Sequence, residues 1–185
     1  MAKKVIGVLI LLLVLVVGVF FVVLYSGIYN VSALKPDSAL TAWVFGTAMD
    51  KSVQHHARGI TVPTLTAPAM ITRGFTHYNE MCVSCHGAPG VEPGDIGQGL
   101  RPDAPDLKDA AKDFSPAELF WITKNGVRMT GMPAWGVTHS DQEIWNIVAF
   151  MQKLPEMTPA EYTAMARPTS ILPGGRMNTG GSMKK

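Results

Sequence analysis

The sequence predicts an all-α protein in which a helical domain follows one N-terminal membrane-spanning helix. The first observation is an uncharged apolar run of 21 residues, Val5–Tyr25. The second is the helix-start pattern Ser/Thr-x-x-Glu, which begins at Ser115, Ser140 and Thr158. The third is that the apolar stripes along the chain have the spacing i, i+3, i+4 of a helix.

The apolar run is long enough to cross a membrane. At about 1.5 Å per residue, a helix of this length spans a bilayer core of roughly 30 Å. A cleaved signal peptide is the alternative, because Val31-Ser32-Ala33 loosely resembles a cleavage site, but its apolar region normally has about 7–15 residues. Lys3 and Lys4 precede the run, so the positive-inside rule places the N-terminus in the cytoplasm and the rest of the chain across the membrane.

The 185 residues suffice for one domain with appendages. We divide the chain into an anchor (1–26), a tether with a helix and an extended connector (27–69), a main domain (70–155), and a short helix with a disordered tail (156–185). The formal net charge is +2, and there is no cluster of Lys and Arg that would indicate a nucleic-acid partner.

Between the anchor and the main domain, the sequence predicts one helix. Ser38–Arg58 has Asp37 or Ser38 as its cap, and His55 and His56 favour its C-terminal end if they are protonated. We expect this helix to pack on the main domain or on a partner. Its apolar stripe consists of Leu40, Trp43, Val44 and Thr47. Ile60–Ala69 follows as an extended connector.

The main domain is predicted to alternate helices with long loops. Thr72 caps a helix that reaches His86, and Gly87–Asp113 is a loop rich in glycine and proline. Ser115 starts a helix that ends near Lys124, before Asn125-Gly126, a pair suited to positive φ. After a second loop, Val127–His139, Ser140 starts a helix that Pro155 ends, and Thr158 starts a short one. The tail from Arg167 is expected to be disordered.

The motif Cys82-Val83-Ser84-Cys85-His86 is the strongest functional signal in the sequence. If Arg73–His86 is one helix, Cys82, Cys85 and His86 lie at i, i+3 and i+4 and share a face. Two thiols there can form thioethers to the vinyl groups of one porphyrin, while the imidazole reaches the iron from the same side. The motif therefore predicts one covalently attached haem c. Such haem is attached on the outer face of the bacterial inner membrane, the same compartment that the anchor indicates.

The cysteine pair admits three other interpretations. A redox Cys-x-x-Cys needs a βαβ context, which the sequence does not indicate. A structural zinc site needs four ligands, and the adjacent His55 and His56 lack the spacing of a second ligand pair. A disulfide between Cys82 and Cys85 leaves His86 unexplained.

A haem iron bound by His86 has a sixth position, for which Met132 is our candidate. A thioether ligand stabilises ferrous iron and raises the reduction potential. We favour Met132 over Met129, because a glycine precedes it and a proline follows it. Packing alone is the alternative role of both methionines. His139 would give a bis-histidine haem instead, and His77 cannot easily reach the opposite face of the haem.

The main domain resembles the class I cytochromes c over about Met70–Leu154, and most of all the single-haem, membrane-anchored bacterial members. The resemblance implies an all-α fold in which the helix with Gly74 crosses the helix with Ile147 and Phe150. These are the residues that carry it: Gly74, Tyr78 and Cys82; Cys-x-x-Cys-His; Ala104-Pro105-Asp106-Leu107; and Gly131-Met132-Pro133-Ala134-Trp135-Gly136.

The resemblance also implies a site. It makes His86 and Met132 the axial ligands and gives Pro105 a carbonyl that accepts a hydrogen bond from the proximal imidazole, which would fix its tautomer. It places Trp135 near a haem propionate. The segments before Met70 and after Pro155 depart from the family pattern, and we expect docking roles for both.

Together these observations predict an electron carrier that is not an enzyme, tethered to the bacterial inner membrane by a single pass, with its haem domain in the periplasm. The expected partners are redox proteins: a quinol-oxidising complex or dehydrogenase as donor, and a terminal oxidase or soluble cytochrome as acceptor. No small-molecule substrate and no catalytic acid, base or nucleophile is expected. The alternative is a fixed haem subunit of a larger membrane-bound oxidoreductase complex. A haem sensor or peroxidase is a third class, but the sequence offers no clear distal Arg-plus-His arrangement for it.

Overall fold

A computed structural model describes residues 1–167 of the chain. Within this range the regular structure is helical and contains no strand beyond one isolated bridge between Ala88 and Val91, which confirms the all-α prediction. The chain divides into two compact units, Met1–Lys35 and the part from Pro36 onward. The disordered tail predicted after Arg167 lies outside the described residues, and the predicted four-part division stays a prediction.

The first unit is dominated by α1, Ala2–Ser26. Its residues are all exposed within the chain, and its mean hydropathy over 18 residues is 3.5. α1 is therefore long and apolar enough to cross a membrane. Gly27 ends the helix in the left-handed conformation with φ 68°, which glycine adopts without steric cost.

The second unit begins with α2, Ala39–His56. Ser38 caps it by accepting a hydrogen bond from the Thr41 N–H at 3.1 Å, as the sequence predicted for this position. The helix contributes buried Val53 near its C-terminal end, where the His56 ring packs edge-on against Trp121 of a later helix at 5.4 Å. The predicted apolar stripe does not pack on the domain. Its large members stay exposed: Leu40, Trp43 and Val44.

The helix that leads into the cysteine motif has three parts. α3 is Pro68–His77, a π-helical turn follows at Tyr78–Cys82, and α4 is Val83–His86. The predicted cap at Thr72 is wrong, because proline begins the helix four residues earlier. Thr72 instead donates its hydroxyl to the Pro68 carbonyl at 3.0 Å, inside the first turn.

Two further helices lie where a loop was expected between Gly87 and Asp113. α5 is Asp95–Gln98 and α6 is Leu107–Asp113. The loop prediction is wrong for α6, which buries Leu107 together with two alanines at helical spacing. The Asp106 carboxylate caps α6 by accepting the Lys108 N–H at 2.8 Å.

The three predicted capping boxes are confirmed. They start α7 (Pro116–Asn125), α8 (Asp141–Met151) and α9 (Pro159–Ala166). α7 ends at Gly126, whose φ is 65°, as its sequence predicted.

The boundaries of α8 and of the loop before it differ from the prediction. α8 ends at Met151, and Pro155 lies in a separate 3-10 turn, Leu154–Glu156. A second 3-10 turn, Trp135–Val137, lies within the loop predicted for Val127–His139.

The core forms where α3 crosses α8, the crossing that the resemblance implied. Gly74 of α3 lies against the backbone of α8, and a Cβ added there would be 2.9 Å from the Cβ of Phe150. Aromatic rings fill the space around the crossing, with Phe75 5.4 Å from Phe150 and 5.5 Å from Tyr162 of α9. Tyr162 is 2% exposed, so the helix after Pro155 contributes a side chain to the core of the domain.

Candidate functional site

Cys82, Cys85 and His86 lie on one short helical stretch. Cys82 is the last residue of the π-helical turn and is buried, whereas Cys85 and His86 belong to α4 and are partly buried. The continuous α-helix that the sequence predicted is interrupted here, because the Val83 N–H bonds to the Tyr78 carbonyl five residues back. Both cysteines carry free thiols, so the disulfide interpretation finds no support in the structure.

The imidazole of His86 is held through one of its two nitrogens. Its Nδ1 lies 2.8 Å from the carbonyl oxygen of Pro105. A carbonyl only accepts, so Nδ1 carries the proton and Nε2 keeps its lone pair. Burial lowers the pKa of His86, and the bond to Pro105 and the charge of Asp106 act in the opposite direction. A neutral ring with Nε2 free is the form that binds a metal.

Burial also determines the protonation state of the first cysteine, Cys82. It raises the pKa of Cys82 to about 12, with a smaller contribution in the same direction from Cys85. A thiolate is therefore strongly disfavoured at this position, and an uncharged sulfur is favoured. A protonated thiol meets that requirement, and so does a thioether.

α4, which contains Cys85, packs closely against α5. Gly94 donates its N–H to the Ser84 carbonyl at 3.0 Å, between the two cysteines. A Cβ at Gly97 would lie 2.7 Å from the carbonyl oxygen of Cys85, closer than real side chains come. α5 thus supports the back of the cysteine turn, and glycine is needed at position 97 because the two backbones are so close.

Met132 lies in a loop whose backbone is fixed on both sides. Its N–H donates to the hydroxyl of Thr130 at 3.1 Å, and its carbonyl accepts the Val127 N–H at 3.2 Å. The Met132 side chain is half-buried, whereas Met129 is 78% exposed and has a φ of 62°. Of the two methionines, Met132 is the one whose position the loop fixes; its role as a ligand stays a prediction.

Trp135 and His139 lie together in the same part of the chain. The Trp135 ring is 5.4 Å from the His139 ring, which is in turn 5.5 Å from His77. The His139 Nδ1 and the Thr138 hydroxyl are 2.8 Å apart. His139 therefore has partners within its own surface cluster, and the contact of Trp135 with a propionate stays a prediction.

The structure adds one residue whose role the sequence analysis missed. Tyr78, which the sequence indicates only as one of the residues that carry the family resemblance, donates its hydroxyl to the Gly87 carbonyl at 2.7 Å. Burial raises the pKa of Tyr78 strongly, with smaller contributions from neighbours, of which Cys82 is the first. The available signal was the tyrosine itself, because a buried hydroxyl in place of phenylalanine needs a hydrogen-bond partner.

The zinc alternative finds no ligand set in the part of the chain that the structure describes. Among residues 1–167, no group of three or more His, Cys, Asp and Glu side chains is placed to hold a metal ion. His55 and His56 pack against each other at 5.1 Å, and His56 also packs against Trp121.

The residues of the site fit a covalently attached haem. They include two free thiols in the Cys-x-x-Cys-His order. They also include an imidazole whose Nδ1 is fixed by the Pro105 carbonyl, and a methionine whose backbone is bonded on both sides. Sulfur and imidazole are the donors that haem iron takes in one-electron carriers.

Comparison with known proteins gives one finding. A family model described as cytochrome c oxidase, cbb3-type, subunit III matches residues 69–151. No curated protein and no solved structure matches the chain. The matched segment begins at the start of α3 and ends with α8, so it contains the crossing helices and all of the predicted site residues.

Proposed function

We propose that the whole chain is a single-haem electron carrier held at the membrane by α1, with residues 69–151 as its c-type cytochrome domain. The observation that carries the proposal is the geometry of His86. Its Nδ1 donates to the Pro105 carbonyl at 2.8 Å, next to the free thiols of Cys82 and Cys85. This arrangement leaves Nε2 of His86 available to an iron.

Each residue of the site has a proposed role. Cys82 and Cys85 hold the porphyrin through thioethers, His86 is the proximal ligand and Met132 the distal one. The Pro105 carbonyl fixes the tautomer and orientation of the His86 ring, and Trp135 contacts a propionate. The bound haem supplies an iron that cycles between the ferric and ferrous states. The chain itself transforms no substrate in this proposal.

The membrane orientation follows from α1 and its flanking charges. α1 is long and apolar enough to span a bilayer, and Lys3 and Lys4 lie near its N-terminal end. By the positive-inside rule the N-terminus stays in the cytoplasm, and the haem domain lies in the periplasm.

The partners of such a carrier are other redox proteins. We propose a quinol-oxidising complex or dehydrogenase as donor and a terminal oxidase or soluble cytochrome as acceptor. Residues 70–155 contain seven Lys and Arg against ten Asp and Glu, which gives 7 − 10 = −3 before any propionates. This charge is too small to make electrostatic steering the main determinant of the encounter.

A second candidate function is a fixed haem subunit of a larger membrane-bound oxidoreductase. It is favoured by the description of the matched family, which names a subunit of an oxidase. Under this alternative α1 and α2 would be assembly surfaces, and the haem chemistry would be unchanged.

The decisive experiment tests for covalent haem. The full chain is produced in bacteria that mature c-type cytochromes, denatured, and examined by absorption for haem that stays with the polypeptide. We expect one haem per chain, and none in the variant Cys82→Ala/Cys85→Ala. Ser84→Ala, an exposed position between the cysteines, is the matched control and should keep the haem. A colourless wild-type chain would contradict the proposal.

A second experiment separates the carrier from the fixed subunit. Membranes are solubilised in mild detergent, and the chain is followed by its haem absorbance through size separation. A carrier should elute as a single polypeptide, whereas a fixed subunit should stay with other polypeptides in constant proportion.

A further inference from the structure

Tyr78 makes a hydrogen bond that bridges the whole cysteine motif. Its hydroxyl donates to the carbonyl oxygen of Gly87 at 2.7 Å. Tyr78 precedes Cys82, and Gly87 directly follows His86, so the bond joins the two ends of the haem-binding turn. The Tyr78 side chain is 1% exposed, and water therefore does not compete for this bond.

The Gly87 carbonyl, which accepts this bond, has few other possible hydrogen-bond donors. Gly87 has a φ of 66°, and a Cβ there would be 2.7 Å from the carbonyl oxygen of Val91. The N–H of Gly87 donates to the Val83 carbonyl at 2.9 Å. In the described part of the chain, the Tyr78 hydroxyl is the single hydrogen-bond donor to the Gly87 carbonyl. Without that donor, a buried carbonyl would lose its partner, which is costly.

The backbone and the ring of Tyr78 are also held by contacts of their own. Its carbonyl accepts the Val83 N–H that defines the π-helical turn, and its ring lies 5.1 Å from Phe150 of α8. The residue therefore connects the packed core to both ends of the motif.

We propose that Tyr78 is a positioning residue for the proximal ligand. Its hydroxyl fixes the Gly87 carbonyl and so the backbone that leaves His86, while the Pro105 carbonyl fixes the ring of His86. Two hydrogen bonds, one to the backbone beyond His86 and one to its ring, then determine the orientation of the imidazole plane. This inference rests on the proposed role of His86.

The test compares Tyr78→Phe with Tyr162→Phe in the full haem-loaded chain. Each variant removes one tyrosine hydroxyl from the same aromatic cluster; that of Tyr162 bonds the Asn79 side chain at 2.9 Å and not the motif. Three quantities are measured: the electron paramagnetic resonance g-values of the ferric form, the midpoint potential, and the fraction of chains that carry covalent haem. The g-values report the orientation of the axial ligands. Unfolding by denaturant is recorded for both variants, so that their losses of stability can be compared.

We expect Tyr78→Phe to shift the g-values and the midpoint potential, or to lower the haem-loaded fraction, whereas Tyr162→Phe keeps all three at their wild-type values. Equal behaviour of the two variants in all three measurements would overturn the inference and leave the Tyr78 bond a structural one. A wild-type chain without covalent haem would instead overturn the proposed function.

Discussion

The Gly74 position of α3 faces the carbonyl of Asn146 on α8 at a distance that leaves no room for a side chain. A Cβ at Gly74 would overlap the carbonyl oxygen of Asn146. Asn146 is itself buried, and so are its neighbours on α8. α3 and α8 therefore meet backbone to backbone at this point, and no rotamer change could make space.

The first prediction concerns this contact. Gly74→Ala should lower the free energy of unfolding by at least about 2 kcal/mol, because α3 and α8 would have to move apart. Denaturant unfolding of the haem-loaded domain, followed by haem absorbance, measures the loss. Gly46→Ala is the matched control, since Gly46 lies within α2 and a Cβ there meets nothing within 4 Å. That control should gain up to about 1 kcal/mol from helix propensity. Equal losses in both variants would contradict the helix crossing.

The second prediction concerns the distal ligand. Met132→Ala should open the sixth position of the iron, so that the ferrous protein binds carbon monoxide. It should also lower the midpoint potential by on the order of 0.1 V or more, because axial ligands control this potential over a range of roughly 0.8 V. Met129→Ala is the control, because Met129 is exposed in the same loop, and it should leave the spectrum and potential unchanged. If Met132→Ala keeps the wild-type spectrum, the ligand is Met129 or His139.

The third prediction concerns α9. Tyr162→Ala should cost about 3–5 kcal/mol of stability, because it removes a buried ring that packs against both Phe75 and Phe150. Thr163→Ala, one residue further along α9 and exposed, should cost far less, since its hydroxyl bonds only within the helix at 2.8 Å. Thermal unfolding of the two variants measures the difference. Similar melting temperatures would show that α9 does not belong to the cooperative unit.

The fourth prediction concerns acid stability at the start of α8. The hydrogen bonds from Ser140 to the Glu143 carboxylate hold the pKa of Glu143 below its ordinary value of 4.5. A depressed folded-state pKa stabilises the fold above the unfolded value, and the contribution is lost as the pH falls through the folded-state pKa. The stability difference between wild type and Glu143→Gln should therefore be larger at pH 7 than at about pH 3.

A matched variant controls for this pH effect. Glu156→Gln removes a carboxylate whose side chain makes no hydrogen bond within residues 1–167. Its difference from wild type should change less between the two pH values, as measured by urea unfolding. A Glu143→Gln difference that is independent of pH would contradict the role of the carboxylate.

The features that sequence reasoning predicted well are those that depend on local chemistry. The boxes at Ser115, Ser140 and Thr158 involve side chains three residues apart, so the pattern alone specifies the hydrogen bonds. The close approach at Gly74 was also predictable, because a glycine at helical spacing from an aromatic residue and a cysteine indicates a packing contact rather than a turn.

The features that sequence reasoning missed lie in a stretch whose composition predicts a loop or have no local sequence pattern. Glycines and prolines dominate the region around the Leu107 helix and predict a loop, although the buried Leu107, Ala110 and Ala111 have helical spacing. The π-helical turn before Cys82 has no periodicity of its own. The hydroxyl of Tyr78 finds its partner nine residues away, beyond the reach of any local pattern.

The loop that contains Met132 has one further consequence. A Cβ at Gly126 would lie 2.7 Å from the carbonyl oxygen of Met132, and Val127 next to it bonds that same oxygen. The C-terminal end of α7 and the backbone of Met132 are therefore fixed against each other. Fraying of the C-terminal end of α7 would displace Met132 directly, so a spectroscopic probe of the Met132 sulfur would also report the melting of that helix end.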